Sequence, residues 1–128
     1  MEEVKDLTVA AIDWLIEGIG KEDGLIRGFY DLGRRHCALG AIGFEEATTS
    51  PRCRVRSRAR HLGLIDYHGF SLTHAAQCVT NCNDHYVGSP EERKTHVLAW
   101  LREQRALKCS DWTAPIKEVV PDRKAVLA

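Results

Sequence analysis

The chain lacks any apolar run that approaches the ~20 residues needed to cross a lipid bilayer. Residues 1–6 are acidic and contain no apolar signal segment, so we expect a cytoplasmic protein. The five cysteines form an odd set without a Cys-x-x-Cys pair, which argues against a disulfide framework. We therefore expect reduced thiols and no contact with a membrane.

The chain also has no excess of charge of either sign, because 18 Lys and Arg balance 18 Asp and Glu. The two signs are nevertheless separated along the sequence. Residues 1–50 hold ten acids and five bases, whereas residues 51–63 hold five arginines and no acid. We expect this arginine block to contact the acidic first helix of the same molecule, ahead of an acidic partner or nucleic acid.

Apolar spacing and capping residues predict a mainly α, compact single domain of about five helices. The predicted helices span residues 3–18, 37–47, 51–62, 72–82 and 90–107. A short β-hairpin is expected before Cys37, where a partly aromatic segment precedes a turn at residues 31–33. We assign residues 1–109 to the helical domain and residues 110–128 to an extended C-terminal tail.

Individual residues refine these boundaries. Ser50 and Ser71 are predicted N-caps, and Ser89 with Glu92 forms the pattern of a capping box. Gly40 and Gly43 each destabilise the second predicted helix by about 1 kcal/mol relative to alanine. We expect close packing against a neighbouring backbone to offset that cost.

Cys37 is placed at the predicted start of the second helix. Unpaired backbone N–H groups and the helix dipole favour the thiolate at such a position, whereas a small apolar residue between two helices is the alternative. A cysteine hydrolase would pair Cys37 with His85 or His96 as base and with Asn83 or Asp84 as orienting group. A structural role for Asn83 and Asp84, satisfying backbone groups between two helices, is favoured over a site.

Metal binding is the next class of site that the sequence raises. His74, Cys78 and Cys82 recur every four residues and His85 follows, a set of ligand types that suits zinc. A helical wheel places both cysteines on the apolar face, where they act as small hydrophobic residues. We therefore predict no metal and no cofactor.

A nucleic-acid or partner-binding surface is suggested by the arginine block. Five arginines within nine residues could neutralise phosphates. They are Arg52, Arg54, Arg56, Arg58 and Arg60. A helix-turn-helix interpretation is weakened by the connection at residues 63–70, which is longer than the usual three or four residues.

Three segments together resemble a known family. They are residues 33–42 (Gly-Arg-Arg-His-Cys-Ala-Leu-Gly-Ala-Ile), Asn83–Asp84, and residues 97–101 (Val-Leu-Ala-Trp-Leu), preceded by an amphipathic first helix. In this order they resemble a family of small proteins of unknown function from actinobacteria and their phages. The likeness covers about residues 4–107. This chain departs from the family pattern in two places. Its connection after Asn83–Asp84 is longer, and the following helix begins at Ser89–Pro90 instead of at a threonine cap.

The resemblance implies a cytosolic, mostly helical, phage-encoded domain and attaches no activity to it. Because the sequence has no catalytic signature, we expect a small interaction or accessory protein that binds a host macromolecule, with a protein favoured. A cysteine-dependent hydrolase using Cys37, and nucleic-acid binding through residues 52–60, are the alternatives that the sequence leaves open.

Overall fold

The computed structural model of the chain describes residues 2–33, 35–50, 52–68 and 71–113. The helices in this part are α1 (Val9–Gly20), α2 (Phe44–Thr49), α3 (Arg54–His61), α4 (His74–Asp84) and α5 (Pro90–Thr113). Two short strands, β1 (Asp31–Leu32) and β2 (Arg35–His36), form a two-stranded sheet, and Gly40–Ile42 is a 3-10 helix. The prediction of a mainly α single domain with about five helices is confirmed.

The longest helix, α5, begins at the predicted capping box. The Ser89 hydroxyl accepts the Glu92 N–H at 3.1 Å, and the Glu92 carboxylate accepts the Ser89 N–H at 2.8 Å. Helices α1 and α4 both pack on α5. Their facing apolar side chains form the core, whose fully buried members include Leu15, Ile19, Val79, Val97 and Leu101.

Helix α1 begins later than the predicted residue 3. The Thr8 hydroxyl accepts the Ala11 N–H at 3.1 Å and so caps the helix at that point. The preceding residues are held by the fully buried side chain of Gln104 on α5. Its oxygen accepts the Val4 N–H at 2.8 Å, and its nitrogen donates to the Glu2 carbonyl at 2.9 Å. The N-terminal segment therefore bonds to α5 instead of extending α1.

The predicted helix at residues 37–47 is wrong, because this stretch is divided into the 3-10 helix and α2. Gly43 separates the two with a φ of 96°, a left-handed conformation that favours glycine. The expected close approach at Gly40 is confirmed. A Cβ atom there would collide with the carbonyl group of Tyr30.

A hairpin lies before Cys37 as expected, but its turn is not at residues 31–33, because Asp31–Leu32 forms strand β1. Strands β1 and β2 are antiparallel, with Asp31 opposite His36 and Leu32 opposite Arg35. The His36 carbonyl also accepts the Ile26 N–H at 2.9 Å, so the hairpin is joined to the chain that leads into it.

Helices α3 and α4 have different caps from those predicted. Ser50 ends α2, and the Cys53 sulfur caps α3 by accepting the Arg56 N–H at 3.3 Å. Ser71 is not the N-cap of α4, and its carbonyl accepts the Asp66 N–H at 3.0 Å. The hydroxyl of Thr73 caps α4 instead. Both helices consequently begin two or three residues later than predicted.

The C-terminal end of the described chain is helical. Helix α5 continues to Thr113, so residues 110–113 are helical where an extended tail was expected. Residues 114–128, which hold the rest of the predicted tail, lie outside the described residues, as does the side chain of Trp112.

Candidate functional site

A cavity of about 390 Å³ lies between the hairpin region and α4. It is lined by residues 28–30, 37–39, 45, 72, 80, 83 and 84. Its volume is within the range of sites that bind small molecules or side chains. Three of the predicted site residues meet at this cavity, because the fold brings Cys37 to the distant pair Asn83 and Asp84.

Asn83 holds the two sides of the cavity together. It is 1% exposed, its Oδ1 accepts the Ala38 N–H at 3.2 Å, and its Nδ2 donates to the Ile26 carbonyl at 2.9 Å. The same Nδ2 lies 2.8 Å from Oδ1 of Asp84, which also accepts the Gly28 N–H at 3.1 Å. Both residues belong to α4 and bond to backbone groups of residues 26–38, not to groups between two helices as expected, and they line the cavity as well.

The Cys37 thiol forms part of the cavity wall and is 8% exposed. Burial raises its pKa, and the Asp84 carboxylate raises it further, while backbone N–H groups of Gly40 and Leu39 act in the opposite direction. The Gly40 N–H lies 3.4 Å from the sulfur. Because no regular helix begins at Cys37, the helix dipole that would favour a thiolate is missing, and the thiol stays protonated at neutral pH.

Neither candidate histidine reaches the cavity. His85 is the C-cap residue of α4 and its side chain is exposed. His96 is also exposed and stacks on Tyr86, with 4.5 Å between the ring centroids. Among the described residues that line the cavity there is no histidine. Hydrolysis through Cys37 stays a prediction, and the base that it requires is not at the described wall.

Some side chains of the arginine block contact other parts of the protein, and others are exposed to solvent. Arg58 lies over the Trp14 ring of α1, 4.5 Å from its centroid, so part of the block does contact the first helix. Arg56 donates to the Ala47 carbonyl at 3.4 Å. Arg52 and Arg54 are exposed, and Arg60 is half-buried. Nucleic-acid binding through this block stays a prediction.

The residues considered as zinc ligands do not form a metal site. Over the described ranges, no group of three or more His, Cys, Asp or Glu side chains is arranged to hold a metal ion. Burial raises the pKa of Cys82 to about 12, which disfavours the thiolate that a metal needs. His74 instead bonds to Asp6 of the N-terminal segment, with 3.1 Å between Nδ1 and Oδ1.

Arg93 is a functional position that the sequence analysis missed. It is 8% exposed and donates to the carbonyls of Asn83 at 2.9 Å, Tyr86 at 2.8 Å and Leu25 at 3.3 Å. Its charge faces the C-terminal end of α4, where the helix dipole is negative. Arg93 thereby fixes the turn that carries Asn83 and Asp84. A signal was present, since position 93 is one helical turn before Val97 on the core face of α5.

The cavity also contains two groups that sequence reasoning did not identify. Tyr30 packs edge-on against Phe44, with 5.8 Å between ring centroids, and Glu45 projects from α2 as an exposed carboxylate. Burial raises the pKa of Tyr30, and the nearby Cys37 and Glu45 raise it further.

Comparison with known protein families, curated proteins and solved structures finds no match for this chain. Within the described residues, no helix combines the length and the apolar character that a membrane span requires.

Proposed function

We propose that this protein is a small, non-catalytic binding protein that takes a basic side chain of a partner protein into the cavity beside Cys37. The observation that carries this proposal is the charge of the cavity. Asp84 and Glu45 both line it, and its described lining contains no lysine, arginine or histidine. A lysine or arginine side chain would supply the missing positive charge.

The shape of the lining suits the same occupant. Leu72, Phe29 and Leu39 provide an apolar surface for the methylene groups of a long side chain. Both described hydrogen bonds to Asp84 use Oδ1, so Oδ2 of this carboxylate is left for a cationic group. A charged hydrogen bond to a carboxylate is roughly twice as strong as a neutral one.

A binding role fits the cavity better than catalysis. The described lining gives the Cys37 thiol no histidine, its burial raises its pKa, and that burial limits access to a substrate. The sulfur contributes a small, polarisable part of an apolar wall. Cys37 therefore acts in the proposal as a contact surface for the partner.

We further propose that the chain is related to the actinobacterial and phage proteins that it resembles, with a host protein in the cytoplasm as partner. One geometric fact supports this. The segments that carry the resemblance, residues 33–42 and Asn83–Asp84, are joined in the fold by the hydrogen bond from Ala38 to Asn83. Residues 37–39 and Asn83–Asp84 of these segments line the cavity, as residues of a shared binding site would.

A matched pair of charge reversals tests the proposal. Glu45 and Glu46 are adjacent, exposed carboxylates of α2, but only Glu45 lines the cavity. A partner captured from host lysate by the unaltered protein is expected to be lost with Glu45→Arg and retained with Glu46→Arg. Equal recovery of that partner by both variants would contradict the proposed site.

A defined probe tests the chemistry without the natural partner. We expect Nα-acetyl-lysine N-methylamide to shift the amide resonances of Ala38 and Asn83 in an NMR titration. Its uncharged norleucine analogue should bind at least about fivefold more weakly, the effect of a charge-assisted contact of about 1 kcal/mol. Equal affinity for the two probes would show that charge does not direct binding.

A further inference from the structure

A second cysteine has surroundings that Cys37 lacks. On the surface formed by α4 and the N-terminal segment, Asp6, His74 and Cys78 make a continuous line of polar contacts. The His74 Nδ1 lies 3.1 Å from Oδ1 and 3.3 Å from Oδ2 of Asp6, and its Nε2 lies 3.6 Å from the Cys78 sulfur. His74 and Cys78 are one helical turn apart, so α4 sets their separation.

This order of groups is the order found where a histidine activates a nucleophile. In the tautomer that carries its proton on Nδ1, His74 donates a hydrogen bond to the Asp6 carboxylate, and the lone pair of Nε2 is directed at the Cys78 thiol. His74 can then accept the thiol proton as Cys78 attacks an electrophile. Asp6 acts through His74 and is therefore a positioning residue.

The electrostatics favour proton transfer during the attack over a thiolate formed in advance. Burial raises the pKa of Cys78, and the Asp6 carboxylate raises it further. The hydrogen bond to His74 keeps the pKa of Asp6 below its ordinary value although desolvation acts in the opposite direction. The described geometry places a carboxylate, an imidazole and a thiol in line, in that order.

Exposure decides which electrophile can react. The His74 side chain is 72% exposed and Cys78 is half-buried, so a small reagent can reach the sulfur from solvent. Cys78 lies inside α4, where its backbone N–H belongs to the helix and cannot stabilise an oxyanion. Thiol–disulfide exchange has no such requirement, because its charge develops on sulfur.

We propose that Cys78 is a site of S-thiolation by low-molecular-weight disulfides, with His74 as the base. The Cys78 thiol transfers its proton to Nε2 of His74, and its sulfur attacks one sulfur of the disulfide. A new S–S bond forms to Cys78 as the old one breaks, and the leaving thiolate takes the proton from His74. The products are a mixed disulfide on the protein and one free low-molecular-weight thiol.

The test is the reaction of the full chain with glutathione disulfide, followed at each cysteine by peptide mass spectrometry. Cys82, one turn further along α4, is the matched control. We expect Cys78 to react at least about tenfold faster than Cys82, and His74→Gln to lower the rate at Cys78 about tenfold or more. The rates at Cys53 and Cys109 should not change, which shows that the fold is retained. An unchanged rate at Cys78 in His74→Gln would overturn the proposal.

The role of Asp6 has a separate readout. In Asp6→Asn the amide can donate to Nδ1, which selects the opposite tautomer and places a proton on Nε2. We expect the nitrogen NMR signals of the His74 ring to report this exchange of tautomers, together with a slower reaction at Cys78. A slower reaction without a change of tautomer would rule out Asp6 as the positioning group.

Discussion

Cys37 and Cys78 differ in the groups that surround their sulfur atoms. Cys37 is 8% exposed and its described sulfur contact is a backbone N–H, whereas Cys78 is half-buried and bonded to an imidazole. Burial raises the pKa of both thiols. Only the sulfur at Cys78 has a described base within hydrogen-bonding range, so we assign binding to the first region and reactivity to the second.

The comparison teaches that the neighbours of a thiol in space decide its chemistry more than its place in the sequence. Cys37 was predicted at a helix start, a position that favours the thiolate, yet no α-helix begins there and the residue lines a cavity together with Ala38 and Leu39. Cys78 is in the middle of a helix, where its spacing suggested the core. The N-terminal segment brings a carboxylate to His74 beside it.

The largest loss of stability is expected from Gly40→Ala, a substitution in the Cys37 region. The added Cβ would collide with the Tyr30 carbonyl, so one of the two backbones must move. We expect a loss of about 3 kcal/mol in the free energy of unfolding. Gly20→Ala is the control, because a Cβ at Gly20 has no neighbour within 4 Å among the described residues. Chemical denaturation of both variants checks this, and equal stability would contradict the observed packing.

A smaller effect is expected from Asn83→Ala. This change removes the bonds to Ala38 and Ile26 and leaves a buried N–H and a partly buried carbonyl without their partner. We expect a loss of about 2 kcal/mol, and faster hydrogen exchange at the Ala38 amide. Asn81→Ala, at an exposed position of the same helix, should change stability by less than about 0.5 kcal/mol. If both variants are equally stable, Asn83 does not hold the cavity wall.

The elements that were predicted correctly are those set by residues close together in the sequence. The capping box at Ser89 and Glu92 fixed the start of α5, and a hairpin is present before Cys37, although Asp31–Leu32 is a strand where a turn was predicted. The helix predicted at residues 37–47 failed because Gly43 adopts a left-handed φ. That conformation depends on packing across the domain, where Val55 lies against Gly43.

The sites were less predictable than the fold, because each depends on contacts between distant segments. Asn83 and Asp84 were identified from their place between two helices, but the cavity also needs Tyr30 and Glu45 from other segments. The carboxylate of the second site comes from Asp6, which is 68 residues from His74. Spacing along one helix can place His74 near Cys78, but it carries no information about Asp6.

The smallest losses of stability are expected from serine substitutions at the two cysteines. These variants test whether stability and thiol reactivity depend on different regions. Cys37→Ser places a hydroxyl in a largely apolar wall, so we expect a loss of about 1 kcal/mol with no change in the S-thiolation rate at Cys78. Cys78→Ser should change stability by less than about 0.5 kcal/mol and abolish the adduct at this site. Thermal unfolding and peptide mass spectrometry measure the two effects on the same samples. If Cys37→Ser slowed the reaction at Cys78 as much as His74→Gln does, the two regions would be coupled, and the assignment of separate roles would be wrong.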